Sequence, residues 1–265
     1  GAHVAHQEQG AAEPRLRAIV RQAIRLGLAL DQLGHGVGLG IVAHDLKSPI
    51  QGIMGFAEII SDDLSELEDE EIKLFAQNIV TSSGKILDTI SRLLDINMIE
   101  EGKIDLRIEE FDLVKMMSDT VALTIPGARK KDISIDFLSD EQKLVIESDK
   151  SLCGQIFDNL ISNSLKYSFS GTVVKVRIRL SASTAIVEIE DQGQGIAEVE
   201  LPFIFDKFKR LSSKPTAGES SSGLGLAIVK SLTELLKGEI KVNSTPGQGS
   251  TFIVELPLKF EKSGD

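Results

Sequence analysis

Tryptophan is absent from this 265-residue chain, and Tyr167 is its only tyrosine. Proteins that bind single-stranded nucleic acid stack bases on aromatic rings, and the net charge here is −11. We therefore expect no direct nucleic-acid partner. The single cysteine, Cys153, excludes an intramolecular disulfide framework and fits a reducing, cytoplasmic location. We expect its thiol to be buried and structural.

Long hydrophobic runs are also missing. No stretch reaches the roughly 18 uninterrupted apolar residues of a membrane span, and no secretory signal is visible. The chain opens with Gly1 instead of methionine, so we interpret it as a trimmed fragment and leave an upstream membrane anchor or sensor open. Residues 1–14 are predicted to be a disordered tail or a remnant of that trimming.

Residues 15–105 carry a helical pattern in two segments. Apolar residues of the first segment recur at spacings of 4, 3, 4, 3 and 4, at Leu46, Ile50, Ile53, Ala57, Ile60 and Leu64. Those of the second recur every seven residues, at Ile72, Ile79, Ile86 and Leu93. A break at 61–71 makes the pair an αα-hairpin. One hairpin cannot bury both stripes, so we expect a homodimer with an antiparallel four-helix bundle.

Residues 106–260 show a different pattern. Alternating apolar and polar residues, as at 174–178 and 185–189, are typical of half-buried strands. Helical segments are predicted near 113–125, 150–167 and 224–236. The fold class is therefore α plus α/β, with the helical bundle followed by a two-layer α/β sandwich whose helices cover one face of a mostly antiparallel sheet.

The most informative residue is His44, which is followed directly by Asp45. Such a carboxylate can hold the tautomer of the imidazole and accept its proton while the other ring nitrogen attacks. Ser48 shares a helix face with His44 at i,i+4, and His44 lies off the apolar stripe, so it should face solvent. His44, Asp45 and Ser48 are the candidate catalytic residues. A histidine beside an aspartate is by itself more often a solvated helix face, but the downstream motifs favour chemistry.

Four of those motifs indicate a nucleotide pocket. Asn159, Asn163 and Lys166 share one helical face, where amide oxygens suit Mg²⁺ and the lysine suits phosphates. Asp191, which precedes Gly193 and Gly195, can accept a hydrogen bond from an adenine amino group, and the glycines let the backbone approach the base. The glycines at 223–226 lie at the N-terminus of a predicted helix, where the free backbone N–H groups can bind phosphate oxygens. A tight turn at 245–251 precedes the last strand. Each motif alone is weak evidence for nucleotide binding, but the occurrence of all four in this order indicates it.

Taken together, these segments resemble the catalytic core of a sensor histidine kinase of two-component signalling, a phosphoacceptor helical hairpin followed by a Bergerat-fold ATP-binding domain. The resemblance spans about residues 38–258. Its motifs are the H box at 44–49, the N box at 159–166, the F box at 205–210 and three glycine boxes at 191–195, 223–226 and 247–251.

The resemblance implies ATP and Mg²⁺ as cofactors, with Asn163 as the metal ligand. His44 would attack the γ-phosphorus with Asp45 as base. The phosphoryl group would pass to a response-regulator receiver domain docked on the hairpin face that includes Gln51, Met54 and Gly55, together with part of the second helix. The loop 207–222 would act as a lid. The implied ATP-binding residues are Asn159, Asn163, Lys166, Tyr167, Asp191, Gly193, Gly195, Phe205, Phe208, Arg210, Gly223, Leu224, Gly225, Leu226 and Thr251.

Two other functions are compatible with parts of this pattern. Hydrolytic ATPases of the same superfamily resemble one another in placing a glutamate four residues before the metal-binding asparagine, but this chain has Asn159 there, which cannot act as a base. A degenerate kinase serving as a dimeric scaffold is disfavoured by intact His44, Asn163 and Asp191. Ser48 stands where the family often has Thr or Asn, which leaves phosphatase activity toward the regulator open.

Glycines at 34, 36, 38 and 40 precede His44 in a segment that is ordinarily a firm helix in this family. Each glycine inside a helix costs roughly 0.5–1 kcal/mol relative to alanine. With Pro49 just beyond, they predict a helix that bends or frays between residues 33 and 49. The alternative is that these glycines allow a close backbone crossing at the bundle seam.

Overall fold

The computed structural model describes residues 37–62, 67–209, 211–216 and 223–260, and only the backbone of residues 37–45 and 100. The predicted tail at 1–14, the glycines at 34 and 36, the turn at 63–66, Arg210 and the loop 217–222 therefore lie outside the described residues. The chain divides into two compact units, of which the first ends at Leu93 and the second begins at Leu94.

The first unit contains helix α1 (Val37–Asp62) and most of helix α2 (Asp69–Glu100), whose last residues from Leu94 on belong to the second unit. The rings of Phe56 and Phe75 stack with centroids 5.6 Å apart. A Cβ placed on Gly52 would lie 3.5 Å from the hydroxyl oxygen of Ser82. Gly52 precedes Phe56 in α1, whereas its neighbour Ser82 follows Phe75 in α2. The two helices are therefore antiparallel. The predicted αα-hairpin is confirmed.

The apolar stripes of the hairpin are only partly covered within one chain. Leu46, Ile50 and Ala57 are buried on α1, as the spacing predicted. The predicted stripe of α2 is half-buried, whereas a second apolar set is exposed, namely Leu74, Val80, Leu87, Ile90, Leu94 and Met98. Val80, Leu87 and Leu94 lie seven residues apart and are 67%, 66% and 56% exposed. This second stripe was not predicted, apart from Ile90 and Leu94 as flanking residues.

Helix α1 runs without interruption through Gly38, Gly40 and Pro49. The expected fraying is therefore not found in the described part of the segment. Leu46 and Ile50 are buried on either side of Pro49. Since most helical stability in proteins comes from packing and not from propensity, this burial supports the helix on both sides of Pro49.

The second unit is a two-layer α/β domain. Its elements in chain order are β1 (Ile108–Asp112), α3 (Leu113–Lys130), β2 (Ser134–Ser139), β3 (Val145–Asp149), α4 (Lys150–Tyr167), β4 (Val173–Ser181), β5 (Thr184–Asp191), a 3₁₀ helix (Glu198–Phe203), α5 (Gly225–Leu235), β6 (Glu239–Thr245) and β7 (Gly249–Pro257). The main sheet has the order β2-β4-β5-β7-β6, and only β2 and β4 pair in parallel among these strands. The mostly antiparallel sheet was predicted correctly. The separate antiparallel ribbon of β1 and β3 was not predicted.

The core lies between the main sheet and the three helices α3, α4 and α5. Fully buried sheet residues include Val174, Val176, Val187, Ile189 and Val254, and fully buried helix residues include Met117, Phe157, Ile161, Ile228 and Leu232. The helices therefore cover one face, as expected. Cys153 is buried in α4, and burial raises the pKa of its thiol to about 12, which keeps it protonated and inert.

Asp149 fixes the start of α4, the helix that carries the N box. Its Oδ1 accepts the backbone N–H of Leu152 at 3.1 Å, a side-chain cap for the first turn. Its Oδ2 accepts the N–H of Arg107 at 2.8 Å. One buried carboxylate thus sets both the start of the helix and the approach of the chain that leads into β1.

Candidate nucleotide site

Helix α4 presents the predicted N-box side chains. Asn159, Asn163 and Lys166 are all half-buried there. The Nδ2 of Asn159 donates to the carbonyl of Gln155 at 2.8 Å, which orients that amide along the helix. The side chain of Asn163 makes no hydrogen bond with any described residue, so its oxygen is available to an external cation.

Asp191 ends β5 and is 5% exposed. Its Oδ1 accepts two backbone N–H groups, from Gly193 at 2.9 Å and from Ser250 at 3.2 Å. Burial raises the pKa of this carboxyl to about 6, although both hydrogen bonds favour the charged form. Its Oδ2 has no hydrogen-bond partner among the described residues. The carboxylate therefore offers one fixed, unused acceptor, which suits an amino group.

The glycines around Asp191 serve contacts within the protein. A Cβ on Gly193 would overlap the carbonyl oxygen of Tyr167, and one on Gly195 would overlap that of Thr245. Gly195 also has a φ of +67°, which disfavours any other residue. The sequence assigned these glycines to the approach of a base. The structure adds that they bring the end of α4, the first glycine box and the third glycine box into backbone contact.

The F box contacts the second glycine box through its backbone. The N–H of Phe208 donates to the carbonyl of Gly223 at 3.1 Å, and the two residues have φ angles of +61° and +67°. The Lys230 ammonium of α5 lies 5.8 Å from the ring centre of Phe205. Leu224 is buried, Gly225 and Leu226 are half-buried, and α5 begins at Gly225, as the motif predicted.

Residues 211–216 belong to the predicted lid, yet they are held in place. The N–H and hydroxyl of Ser212 donate to the carboxylate of Glu200 at 2.8 and 2.7 Å. The hydroxyl of Ser213 donates to the carbonyl of Gly195 at 2.8 Å. Gln194 and Lys214 exchange two hydrogen bonds at 3.0 and 3.3 Å. Residues 211–216 are thus bonded to neighbouring segments in this structure, and the lid over 207–222 stays a prediction.

The third glycine box joins the first. The N–H of Gly247 donates to the carbonyl of Gln194 at 2.7 Å. Thr251 is half-buried in β7, opposite Glu190 of β5 and Asn243 of β6. Sequence reasoning missed Ser250 and Gln194 as pocket-shaping residues. Both had a local signal, because Ser250 lies between Gly249 and the predicted Thr251, and Gln194 lies between the predicted Gly193 and Gly195.

The predicted phosphoacceptor lies in the first unit. His44 and Asp45 belong to the helical backbone of α1, and their side chains are outside the described part. Ser48, one turn further, is exposed. Every predicted nucleotide-binding residue except Arg210 is described, and all of these lie in the second unit.

Two further findings concern the described residues only. No group of three or more His, Cys, Asp or Glu side chains is arranged to hold a metal ion. None of the described helices is long and apolar enough to cross a membrane.

Two family models match the chain. Residues 39–102 match the His Kinase A (phospho-acceptor) domain. Residues 148–260 match the Histidine kinase-, DNA gyrase B-, and HSP90-like ATPase. The first match covers most of the hairpin, and the second covers α4 and the chain after it as far as residue 260, including the cluster around Asp191.

Two curated relatives are 31% identical to the chain. One is the non-motile and phage-resistance protein of Caulobacter vibrioides, aligned over 226 residues and 83% of this chain. The other is histidine kinase 5 of Arabidopsis thaliana, aligned over 257 residues and 86% of this chain. The chain spans only 27% of the length of either relative.

The chain is also similar to a solved structure, that of histidine kinase ThkA in complex with response regulator protein TrrA. The two are 26% identical with a TM-score of 0.61, and the match covers 83% of this chain and 61% of that one.

Proposed function

The chain belongs to the sensor histidine kinase family, and we propose that it is an ATP-dependent autokinase that phosphorylates its own His44. The phosphoryl group would then pass to an aspartate of a response-regulator receiver domain. The family was predicted from the H, N, F and glycine boxes. The observation that best supports the activity is the carboxylate of Asp191, which two backbone N–H groups hold with Oδ2 unused.

ATP fits the groups around that carboxylate. Oδ2 of Asp191 would accept the adenine amino group, which fixes the orientation of the base. Asn163, whose amide is not engaged, would supply an oxygen to a magnesium ion that also holds phosphate oxygens. Lys166 and the start of α5 after Gly223 would add positive potential for the phosphates. Magnesium would supply charge neutralisation for the departing ADP.

Transfer of the phosphoryl group to a histidine needs no base to activate water, which is consistent with asparagine at position 159. Asn159 is directed to the carbonyl of Gln155 at 2.8 Å and has no basic group that could activate water. In the proposed reaction a ring nitrogen of His44 forms the bond to the γ-phosphorus, the bond from phosphorus to the β–γ bridging oxygen breaks, and ADP leaves. Asp45 would take the proton from the other ring nitrogen.

A dimer would cover the second apolar stripe of α2. Val80, Leu87 and Leu94 are more than half exposed in one chain, and contiguous apolar surface of this kind is typical of an interface. A second hairpin packed there would give the four-helix bundle predicted from the sequence. For the receiver domain, the ThkA complex with a response regulator supports a docking site on this class of chain. We place it near the exposed Gln51, with Met54 and Gly55 beside it.

The decisive experiment is incubation of the purified chain with ATP labelled at the γ-phosphate. We expect an acid-labile, base-stable phosphoryl group on His44, located by mass spectrometry. His44→Gln should abolish labelling yet bind a fluorescent ATP analogue with unchanged affinity, because acceptor and pocket lie in separate units. Labelling of His44→Gln at the normal rate would refute the assignment of His44 as the phosphoacceptor. Nucleotide binding without any labelling of the wild-type chain would favour the scaffold alternative.

A further inference from the structure

Lys131 lies at the C-cap of α3, immediately after the helix ends at Lys130. Among the described residues, its ammonium donates to three oxygens, the carbonyl of Leu165 at 2.7 Å, the hydroxyl of Thr216 at 3.0 Å and the carbonyl of Lys166 at 3.2 Å. An ammonium has three N–H groups. This cluster therefore gives each of them an acceptor, and it joins three segments that are distant in sequence.

Two of the three acceptors belong to the last turn of α4. The final carbonyls of a helix have no partner within it, and the C-terminal end of the helix carries partial negative charge. A cation placed there stabilises the turn that carries Lys166 and follows Asn163 directly. None of the motifs contains Lys131, which explains why sequence reasoning did not single it out.

The third acceptor connects α4 to the segment 211–216. The hydroxyl of Thr216 donates to the carbonyl of Ser168 at 2.7 Å, and its N–H donates to the carbonyl of Lys166 at 3.1 Å. Ser168 in turn pairs with Gly193 of the first glycine box. The same segment reaches that box independently through Ser213. The end of α4, the first glycine box and residues 211–216 are thus each bonded to the other two, and Lys131 is bonded to two of these three segments.

We propose that Lys131 is a positioning residue for nucleotide binding, acting through Thr216 and the end of α4. By fixing residues 211–216 to the helix that carries Asn163 and Lys166, it sets the spacing between the two sides of the pocket before ATP arrives. This inference rests on the proposed function, because it assumes that the pocket binds ATP. Its structural part, the anchoring of Thr216 by Lys131, is independent of that assumption.

The test compares five variants of the full chain, four single substitutions and the double variant that combines Lys131→Met with Thr216→Val. Lys131→Met keeps the aliphatic length but removes the donors, and Lys131→Arg keeps the charge and donors. Thr216→Val keeps the shape of the side chain but removes the hydroxyl. Lys130→Met is the matched control, since Lys130 is an exposed neighbour in the last turn of α3. Each is measured for Mg²⁺–ATP affinity, for thermal unfolding and for hydrogen exchange at the Thr216 amide without nucleotide.

We expect Lys131→Met and Thr216→Val each to weaken Mg²⁺–ATP binding about five- to tenfold and to speed exchange at the Thr216 amide. The double variant should bind no more weakly than Lys131→Met alone, because both substitutions open the same cluster. Lys131→Arg should recover most of the affinity, and Lys130→Met should match the wild type.

Unchanged affinity in folded Lys131→Met would overturn the inference, and so would additive losses in the double variant. Should Lys131→Met fail to fold, Thr216→Val decides by the same two measurements. A wild-type chain that binds no ATP would refute the proposed function instead. In that case exchange at the Thr216 amide still reports whether Lys131 anchors the segment.

Discussion

The Oδ1 of Asp191 accepts the backbone N–H of Ser250 at 3.2 Å, and the same two residues are partners in the register of β5 and β7. The main sheet itself therefore sets the direction of the carboxylate. A group fixed in this way does not have to be ordered when a ligand binds, which lowers the entropic cost of binding. This relationship gives the first two predictions.

Asp191→Asn should separate the fold from the function. The asparagine oxygen can still accept the N–H groups of Gly193 and Ser250, but the amide nitrogen would replace the free acceptor Oδ2. We expect affinity for a fluorescent ATP analogue to fall at least tenfold, about 1.4 kcal/mol, because two amino groups would then face each other. Thermal stability at pH 7 should be equal or higher, since a desolvated charge is removed. A variant that binds nucleotide normally would contradict the role of Asp191 in recognising the base.

The pH dependence of the same carboxylate has a definite sign. Its pKa is about 6 in the folded chain, above the ordinary value of 3.8, so the folded state binds more protons than the unfolded state between these values. Stability of the wild type relative to Asp191→Asn should therefore rise as the pH falls from about 6 to 4. Binding of adenosine, whose sugar carries no phosphate, should weaken over the same window because protonation removes the acceptor. Denaturant unfolding would measure the stability trend, and calorimetry would measure the affinity for adenosine. A stability difference between wild type and Asp191→Asn that does not change with pH would contradict the first trend, and a constant adenosine affinity would contradict the second.

The main sheet and the helices of the second unit could be predicted from the sequence, but the β1–β3 ribbon could not. Its strand Ile108–Asp112 contains Glu109 and Glu110 side by side, both exposed, which breaks the alternation that marks a half-buried strand. The ribbon forms through pairing between segments more than thirty residues apart. No local pattern records such a partner.

The segment 211–216 makes more hydrogen bonds than its composition suggests. Residues 212–222 are rich in Ser, Gly and Pro, a composition typical of a mobile loop. Ser212 and Ser213 nevertheless bind Glu200 and Gly195. Small polar side chains suit such bonds to distant backbone and carboxylate groups as well as they suit flexibility. Composition alone therefore cannot distinguish a free loop from a tied one.

Two glycines of the third box should respond differently to alanine. At Gly249 the φ is +106° and a Cβ would overlap the carbonyl of Asp191, whereas at Gly247 the φ is +77° and a Cβ would meet no atom within 4 Å. Gly247→Ala should cost only the backbone strain, about 1 kcal/mol. Gly249→Ala should cost more than about 2 kcal/mol and also weaken nucleotide binding, because β7 must move away from Asp191. Urea unfolding of both variants would check this, and equal losses would show that the contact at Asp191 is unimportant.

Asn163 provides the sharpest test of the metal. Its amide makes no hydrogen bond with the described residues, so Asn163→Ala should leave the free energy of unfolding within about 0.5 kcal/mol of the wild type. If the amide oxygen binds Mg²⁺, the same substitution should remove the magnesium-dependent part of ATP affinity, measured with Mg²⁺ and with EDTA. The residual affinity in EDTA should match that of the wild type, since the contact of the base at Asp191 is untouched. Ser162→Ala, an exposed neighbour on α4, is the control and should change neither quantity. Light scattering should give the same mass for all three proteins, because the proposed dimer contact lies on the second apolar stripe of α2 and Asn163 lies on α4. Full magnesium-dependent affinity in Asn163→Ala would place the metal elsewhere.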